Sequence, residues 1–472
     1  YAMLTLSPRP PATGPRRPLR SAGRASLLGR SPRRRAVRVA VALAVFAAAV
    51  VILLLGGGIV GVPAGGRPAP DQAGEQTSAP VTSAADAAIA RAQDRLKQVP
   101  GDWVTWAALG SAYLERARIS ADPSWYPKAE GALDKSLEIH PKDNADALTG
   151  LGALANARHD FAGAADRARQ ALAVDAYSAG AYGVLTDALT QLGDPAGATD
   201  AVQHMLDLRP GLSAYTRASY DLELHGRVPD AETLMAQALQ DATDPGDIAF
   251  CRYQLGELAF STGRLDQAEQ QYAAGQAADP GYLPLREGLA KVAAARGQTD
   301  AALSGYAQLT QLYPSPAYFL EYADLLRSVG RSAEADAQVS LAAAAQQLFT
   351  ANGGVDDLTA SALALAQGRP ADAVTAARDE WQRRQFVDVA DALAWALHAD
   401  GHDAEALKYA KLAGGLGTRN ARYAFHLGMI EKALGDVAAA RADLIRARDT
   451  NPNFSPSDAQ ALRSALAQVG AV

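Results

Sequence analysis

One alanine recurs through this chain on a fixed beat. Ala198 and Ala231 stand 33 residues apart, Ala268 and Ala302 stand 34 apart, and Ala302 and Ala335 stand 33 apart. Gly193, Gly226, Gly263, Gly297 and Gly330 follow at 33, 37, 34 and 33 residues. A period of this length holds two helices and their turns, and such a unit buries its apolar face only by stacking on its neighbours. Glycine marks the turn inside each pair, because a helix C-terminus wants a residue with positive φ. Pro141, Pro210, Pro280, Pro314 and Pro452 close second helices, which proline cannot continue. The expected fold is therefore a stack of helix pairs and not a single globular core.

Composition agrees. Hydrophobic residues make up 49% of the chain but aromatics only 6%, so helices must pack closely through small side chains. Alanine is also the best helix former. Beta-branched runs bounded by turns are scarce, which predicts almost no strand.

The first complete unit carries Trp106, Leu109-Gly110 and Tyr113, then Ala129, Leu133, Ser136 and Pro141. This resembles the tetratricopeptide repeat (TPR), W-x2-L-G-x2-Y followed by A-x3-F…P, whose period is about 34 residues. Extra residues around Ala121–Trp125 lengthen its internal turn. Leu151-Gly152, Leu255-Gly256 and Leu427-Gly428 repeat the signature in later units. The resemblance implies an all-α, TPR-like superhelical solenoid of about ten helix pairs. It covers residues 85–345 as an N-terminal array and 346–472 as degenerate units, marked by Gly368, Gly401 and Gly435 and closed by a capping helix. The pattern frays after Ala345, and residues 350–356 read as a loop. Ala85 to Gln98 reads as the second half of a repeat whose first half is absent.

The N-terminal region is of another kind. Residues 1–38 hold ten Arg and no Asp, Glu or Lys, so the rest of the chain carries 51 acidic against 35 basic side chains. This is read as a disordered tail and not a nucleic-acid-binding module, because it lacks interleaved aromatics. Residues 39–62 run 24 residues without a charge, long enough for one transmembrane helix. The Arg bias before it places residues 1–38 in the cytoplasm and the repeats outside. A cleaved signal peptide is the alternative, and it leaves the repeats on the same side. Residues 63–84 are a Pro/Gly/Ser-rich flexible linker. Tyr1 with Met3 close behind is read as either a start at Met3 or a fragment.

No chemistry stands out. Cys251 is alone. His398 and His402 flank Gly401 at a predicted turn, so their rings should diverge and no metal is expected. No phosphate-cradling glycine loop precedes a Lys-Ser/Thr pair. The chain is expected not to be an enzyme and to need no cofactor, and the helix pairs leave no room for a catalytic domain. A set of strongly perturbed acids sharing one pocket would favour an enzyme, and an aromatic-lined groove a binding protein.

The resemblance implies that first helices line a concave groove that takes protein or peptide. The basic clamp that grips chaperone tails in one subgroup is missing, since Asp146, Thr149, Ala153 and Asn156 occupy that face in the second unit. At 100° per residue, Phe250, Tyr253, Glu257 and Phe260 cluster about 140–220° from Leu255, away from their own pair's core. Equivalent positions pick Tyr220 and Glu223, Trp395 and Phe425. These eight are the expected partner-binding residues. The function expected is that of a membrane-anchored extracytoplasmic scaffold, or an accessory factor in assembling a cell-envelope complex.

Overall fold

The computed structural model describes residues 84–120 and 122–471. The arginine-rich tail, the apolar span at 39–62 and nearly all of the linker lie outside them. Among the described residues there are 22 α-helices and no strand, and no helix is long and apolar enough to cross a membrane.

A lone helix, α1 (Ala84–Gln98), precedes ten pairs. The first five are α2 (Trp103–Ser120) with α3 (Tyr126–Ile139), α4 (Ala145–Ala157) with α5 (Phe161–Val174), α6 (Ala179–Leu192) with α7 (Pro195–Leu208), α8 (Leu212–Leu224) with α9 (Val228–Asp241), and α10 (Pro245–Ser261) with α11 (Leu265–Ala278). The next five are α12 (Pro284–Ala295) with α13 (Thr299–Leu312), α14 (Pro316–Ser328) with α15 (Ser332–Ala351), α16 (Asp357–Ala366) with α17 (Pro370–Arg383), α18 (Val387–Ala399) with α19 (Asp403–Ala413), and α20 (Ala421–Ala433) with α21 (Val437–Thr450). A last helix, α22 (Pro456–Gln468), follows. The insertion in the first pair forms a short 3-10 turn at Pro123–Trp125.

Local sequence explains the breaks. The glycines at 193, 226, 263, 297 and 330 all take φ between +71° and +80°. Pair two has no glycine there, and His159 adopts φ +62° in its place. The next residue is often a cap: Asp160, Asp194 and Asp436 each accept an amide hydrogen bond from the first turn of the second helix. Losing such a cap costs about 1 kcal/mol. Thr350 and Ala351 are helical, not loop, because α15 meets no breaker until Asn352-Gly353. The array boundary drawn at 345/346 thus falls inside a helix.

The Leu-Gly pairs have a packing reason. A Cβ on Gly110 would lie 2.5 Å from Leu133, and one on Gly150 would lie 2.4 Å from the same side chain. Leu133 is fully buried in the notch that these two first helices leave for it. Tyr272 fills the corresponding notch of pairs five and six, where a Cβ on Gly256 or Gly288 would come within 2.2 or 2.5 Å of its ring.

The pairs coil until the chain meets itself. The Tyr313 hydroxyl donates to Arg118 O, the Val355 backbone amide to Arg158 O at 3.0 Å, the Gln385 backbone amide to Leu192 O at 3.4 Å, the Thr418 hydroxyl to Leu224 O and the Asn451 side-chain Nδ2 to Phe260 O at 2.8 Å. Partners in these bonds stand 191 to 195 residues apart where side chains donate, a little under six repeat lengths. Every acceptor lies within the last turn of a first helix or just past it, where carbonyls lack intrahelical partners. Buried Arg384 adds a bond from its guanidinium to Gln191. Successive turns of the coil therefore touch.

Helix α22 turns inward from the end of pair ten. Ser455 and Ser457 donate to Asp324 on α14. Leu462, Ala465 and Leu466 share one apolar cluster with Phe425 and Ala424 of α20.

Candidate protein-binding groove

First helices supply the inner wall, and the repeat length places bonding partners on neighbouring helices. The Tyr253 hydroxyl donates to Glu287, 34 residues on, at 3.0 Å. Lys291 lies 2.7 Å from both Glu257, 34 residues back, and Glu287, one helical turn back. Tyr272 and Tyr306 reach inward from second helices to Glu257 at 2.5 Å and Glu321 at 3.1 Å. On the lower turn Arg217 makes a two-pronged contact with Asp187, 2.8 Å for each bond. On the upper turn Tyr423 bonds Asp388, and His426 Nδ1 bonds both Asp391 oxygens at 2.9 and 3.0 Å.

Acids outnumber bases on this wall, and the field shows it. Burial pushes the Glu287 carboxyl well above the usual range, against the pull of Lys291. Burial likewise raises Glu321 and Asp388. Burial works against the charge of Lys291, but Glu257 and Glu287 overcome it and hold the ammonium firmly protonated. Glu223 is pushed up to about 7 by burial, with Glu257 and Asp388 adding to the rise. Asp388 belongs to pair nine and Glu223 to pair four, so this crowding arises where two turns of the coil meet. A wall of this kind favours an added cation or a hydrogen-bond donor.

The eight residues expected at the groove separate. Tyr220 is 41% exposed, and among the described residues Glu223 makes no hydrogen bond or ion pair. Tyr253 and Glu257 sit within the bonded network. Phe250 is half-buried against the cluster of Val228 and Met235. Phe260 is only 7% exposed, with the Lys291 ammonium 4.9 Å from its ring. Trp395 is half-buried and stacks on His426 at 4.1 Å. Phe425 is 1% exposed beneath α22. Phe260 and Phe425 are therefore core residues and offer no contact surface. A helical wheel sees only a helix's own pair, whereas these rings pack on a neighbouring pair or on the terminal helix. Glu287, Lys291 and Glu321 went unread, although the spacing of residues 253, 287 and 321, and of 257 and 291, is the repeat period.

Perturbed acids do share one buried cluster, yet their oxygens bond tyrosines and a lysine. No group of three or more His, Cys, Asp or Glu among the described residues could hold a metal ion. His398 bonds Asp403, and His402 lies 3.2 Å from Asp400, so the two rings serve different partners. Cys251 is fully buried, and burial pushes its thiol up to about 11. A cavity of about 220 Å³ lies where the turns meet, between Leu224, Trp381, Phe386 and Leu416.

No family model matches the chain. The curated "Cellulose synthase 1 operon protein C" of Komagataeibacter xylinus is 25% identical over 232 residues, which is 49% of this chain and 15% of that protein. The chain thus spans a small part of that relative's length. A thermophilic TPR protein of Thermus thermophilus is 24% identical, covering 36% of this chain and 91% of that one, with a TM-score of 0.33. A tetratricopeptide repeat protein of Parabacteroides merdae is 16% identical, covering 55% and 98%, with a TM-score of 0.34.

Proposed function

We propose that this tetratricopeptide-repeat chain is a membrane-anchored, extracytoplasmic scaffold that binds a protein or peptide segment along its inner wall. The observation that carries the reading is the pairing of exposed Tyr220 with unbonded Glu223 on that wall, where acids outnumber bases. The wall suits an extended segment carrying Lys or Arg. An aromatic anchor beside a desolvated charge is the usual make-up of a binding hot spot. The anchor rests on the 24-residue apolar run and the arginine bias before it.

Two experiments test the reading. The intact protein is used to capture partners from membranes, in parallel with a Tyr220→Ala/Glu223→Gln variant. Loss of about 1–4 kcal/mol of affinity in a variant that stays folded supports the groove, and an unchanged partner set refutes it. A reporter active only outside the cytoplasm is fused after residue 472. An inactive fusion, with a cytoplasmic reporter active instead, refutes the placement.

A second reading, an accessory factor in assembling a cell-envelope complex, is favoured by the likeness to a protein named for a cellulose synthase operon. Capture of envelope-complex subunits as the dominant partners would decide for it.

A further inference from the structure

The ribbon of helix pairs has two rims. Turns inside pairs form the hairpin rim, and connections between pairs form the junction rim. Where the coil meets itself, junction rim lies on hairpin rim. A Cβ on Gly193 would stand 2.4 Å from Gln385 O, and one on Gly226 would stand 2.2 Å from Gly417 O. The hairpin rim of the later pairs repeats this geometry uncovered. Gly297, Gly330, Gly368, Gly401 and Gly435 keep φ between +68° and +84°, yet an added Cβ there meets nothing within 4 Å among the described residues.

Both uncovered rims carry large apolar side chains. Val329, Leu434 and Val437 are exposed on the hairpin rim of pairs seven and ten. On the junction rim of the early pairs Val99, Val174 and Leu208 are exposed, and Tyr177 is 81% exposed. The charges also have an order. Reading up the junction rim from pair one to pair four gives Asp102, which holds Arg95 of its own copy, Asp143 with exposed Lys142 beside it, Asp175 and Arg209. Reading the hairpin rim from pair six to pair nine gives Arg296, Arg331, Arg369 and Asp400. The three arginines already hold exposed acids of their own copy, contacts worth little in water.

We propose that the uncovered hairpin rim docks the junction rim of a second copy of this chain, continuing the stacking that the coil makes with itself. In that register pair one of the second copy lies on pair six of the first, and the signs oppose at four successive positions. The fifth brings Asp244 near Asp436, a like pair that weakens the far end. The contact joins unlike surfaces, so it propagates head to tail instead of closing as a symmetric dimer.

The test uses the full chain in detergent micelles. Asp175→Cys/Arg369→Cys, oxidised, should give a ladder of covalent multimers, while neither single cysteine variant does. Buried Cys251 stays out of the reaction. Asp143→Lys/Asp175→Lys and Arg331→Glu/Arg369→Glu should each weaken association about tenfold, and mixing the two proteins should restore it. Absence of a ladder from the double cysteine variant overturns the proposal. So do covalent dimers from a single cysteine variant, which would mark a symmetric contact. If a charge variant fails to fold, the cysteine ladder alone decides.

Discussion

Two glycine-to-alanine substitutions separate the turn-to-turn contact from backbone strain. Gly226 and Gly330 occupy the same place in their pairs, with φ +71° and +80°. Alanine pays the left-handed penalty at both, about 1–2 kcal/mol. Only at position 226 does the new methyl meet backbone, with Gly417 O at 2.2 Å, whereas at Gly330 it meets none of the described residues within 4 Å. Neither chain segment can yield by about 1 Å without separating the turns, which adds the 1–3 kcal/mol typical of overpacking. It also strains the Thr418–Leu224 hydrogen bond, worth about 1 kcal/mol. Gly226→Ala should therefore cost roughly 3–5 kcal/mol and Gly330→Ala about 1–2. Urea titration followed by far-UV circular dichroism ranks the two midpoints, and small-angle scattering should show a larger radius of gyration for Gly226→Ala alone. Equal midpoint shifts and equal radii would refute contact between the turns.

Lys291→Met should destabilise the protein by about 2–3 kcal/mol, because it takes the ammonium from both Glu257 and Glu287, the latter 2% exposed; a loss under about 0.5 kcal/mol in denaturant titration would contradict this. Glu223 is a carboxyl whose folded-state pKa is raised, so the folded protein binds the extra proton and stability falls as pH rises from the ordinary carboxylate range to about 7. Glu223→Gln should flatten that fall and be more stable than the parent above the window, by about 1–3 kcal/mol; parallel stability–pH curves would contradict it. Phe425→Ala should cost about 3–5 kcal/mol and loosen α22, read as new proteolysis at residues 452–456; unchanged stability would show that the ring lies outside the core.

The helix pairs were legible because the repeat writes itself into the sequence at every level, as alanine in the seam, glycine in the turn and proline at the close. His159 was invisible to that reading, since a histidine in a glycine's conformation leaves no compositional trace. The groove was half legible. Tyr253 and Glu257 could be placed on the wall from one helix, because the wall is set by a helix's own pair. Phe260 and Phe425 could not be placed, because what covers them comes from other pairs or from the terminal helix. The meeting of Glu223 with Asp388, 165 positions apart in the numbering, depends on how many pairs complete a turn, and no local pattern encodes that number.

Binding on the inner wall is tested most directly by placing a photoreactive side chain at position 220, on the wall, and in a second protein at Asp166, 72% exposed on α5. Both proteins are irradiated in membranes from cells that make the full chain. The account predicts one dominant crosslinked protein from position 220, lost when Glu223 is replaced by Gln, and no such band from position 166. The same band from both positions, or from 166 alone, would contradict it.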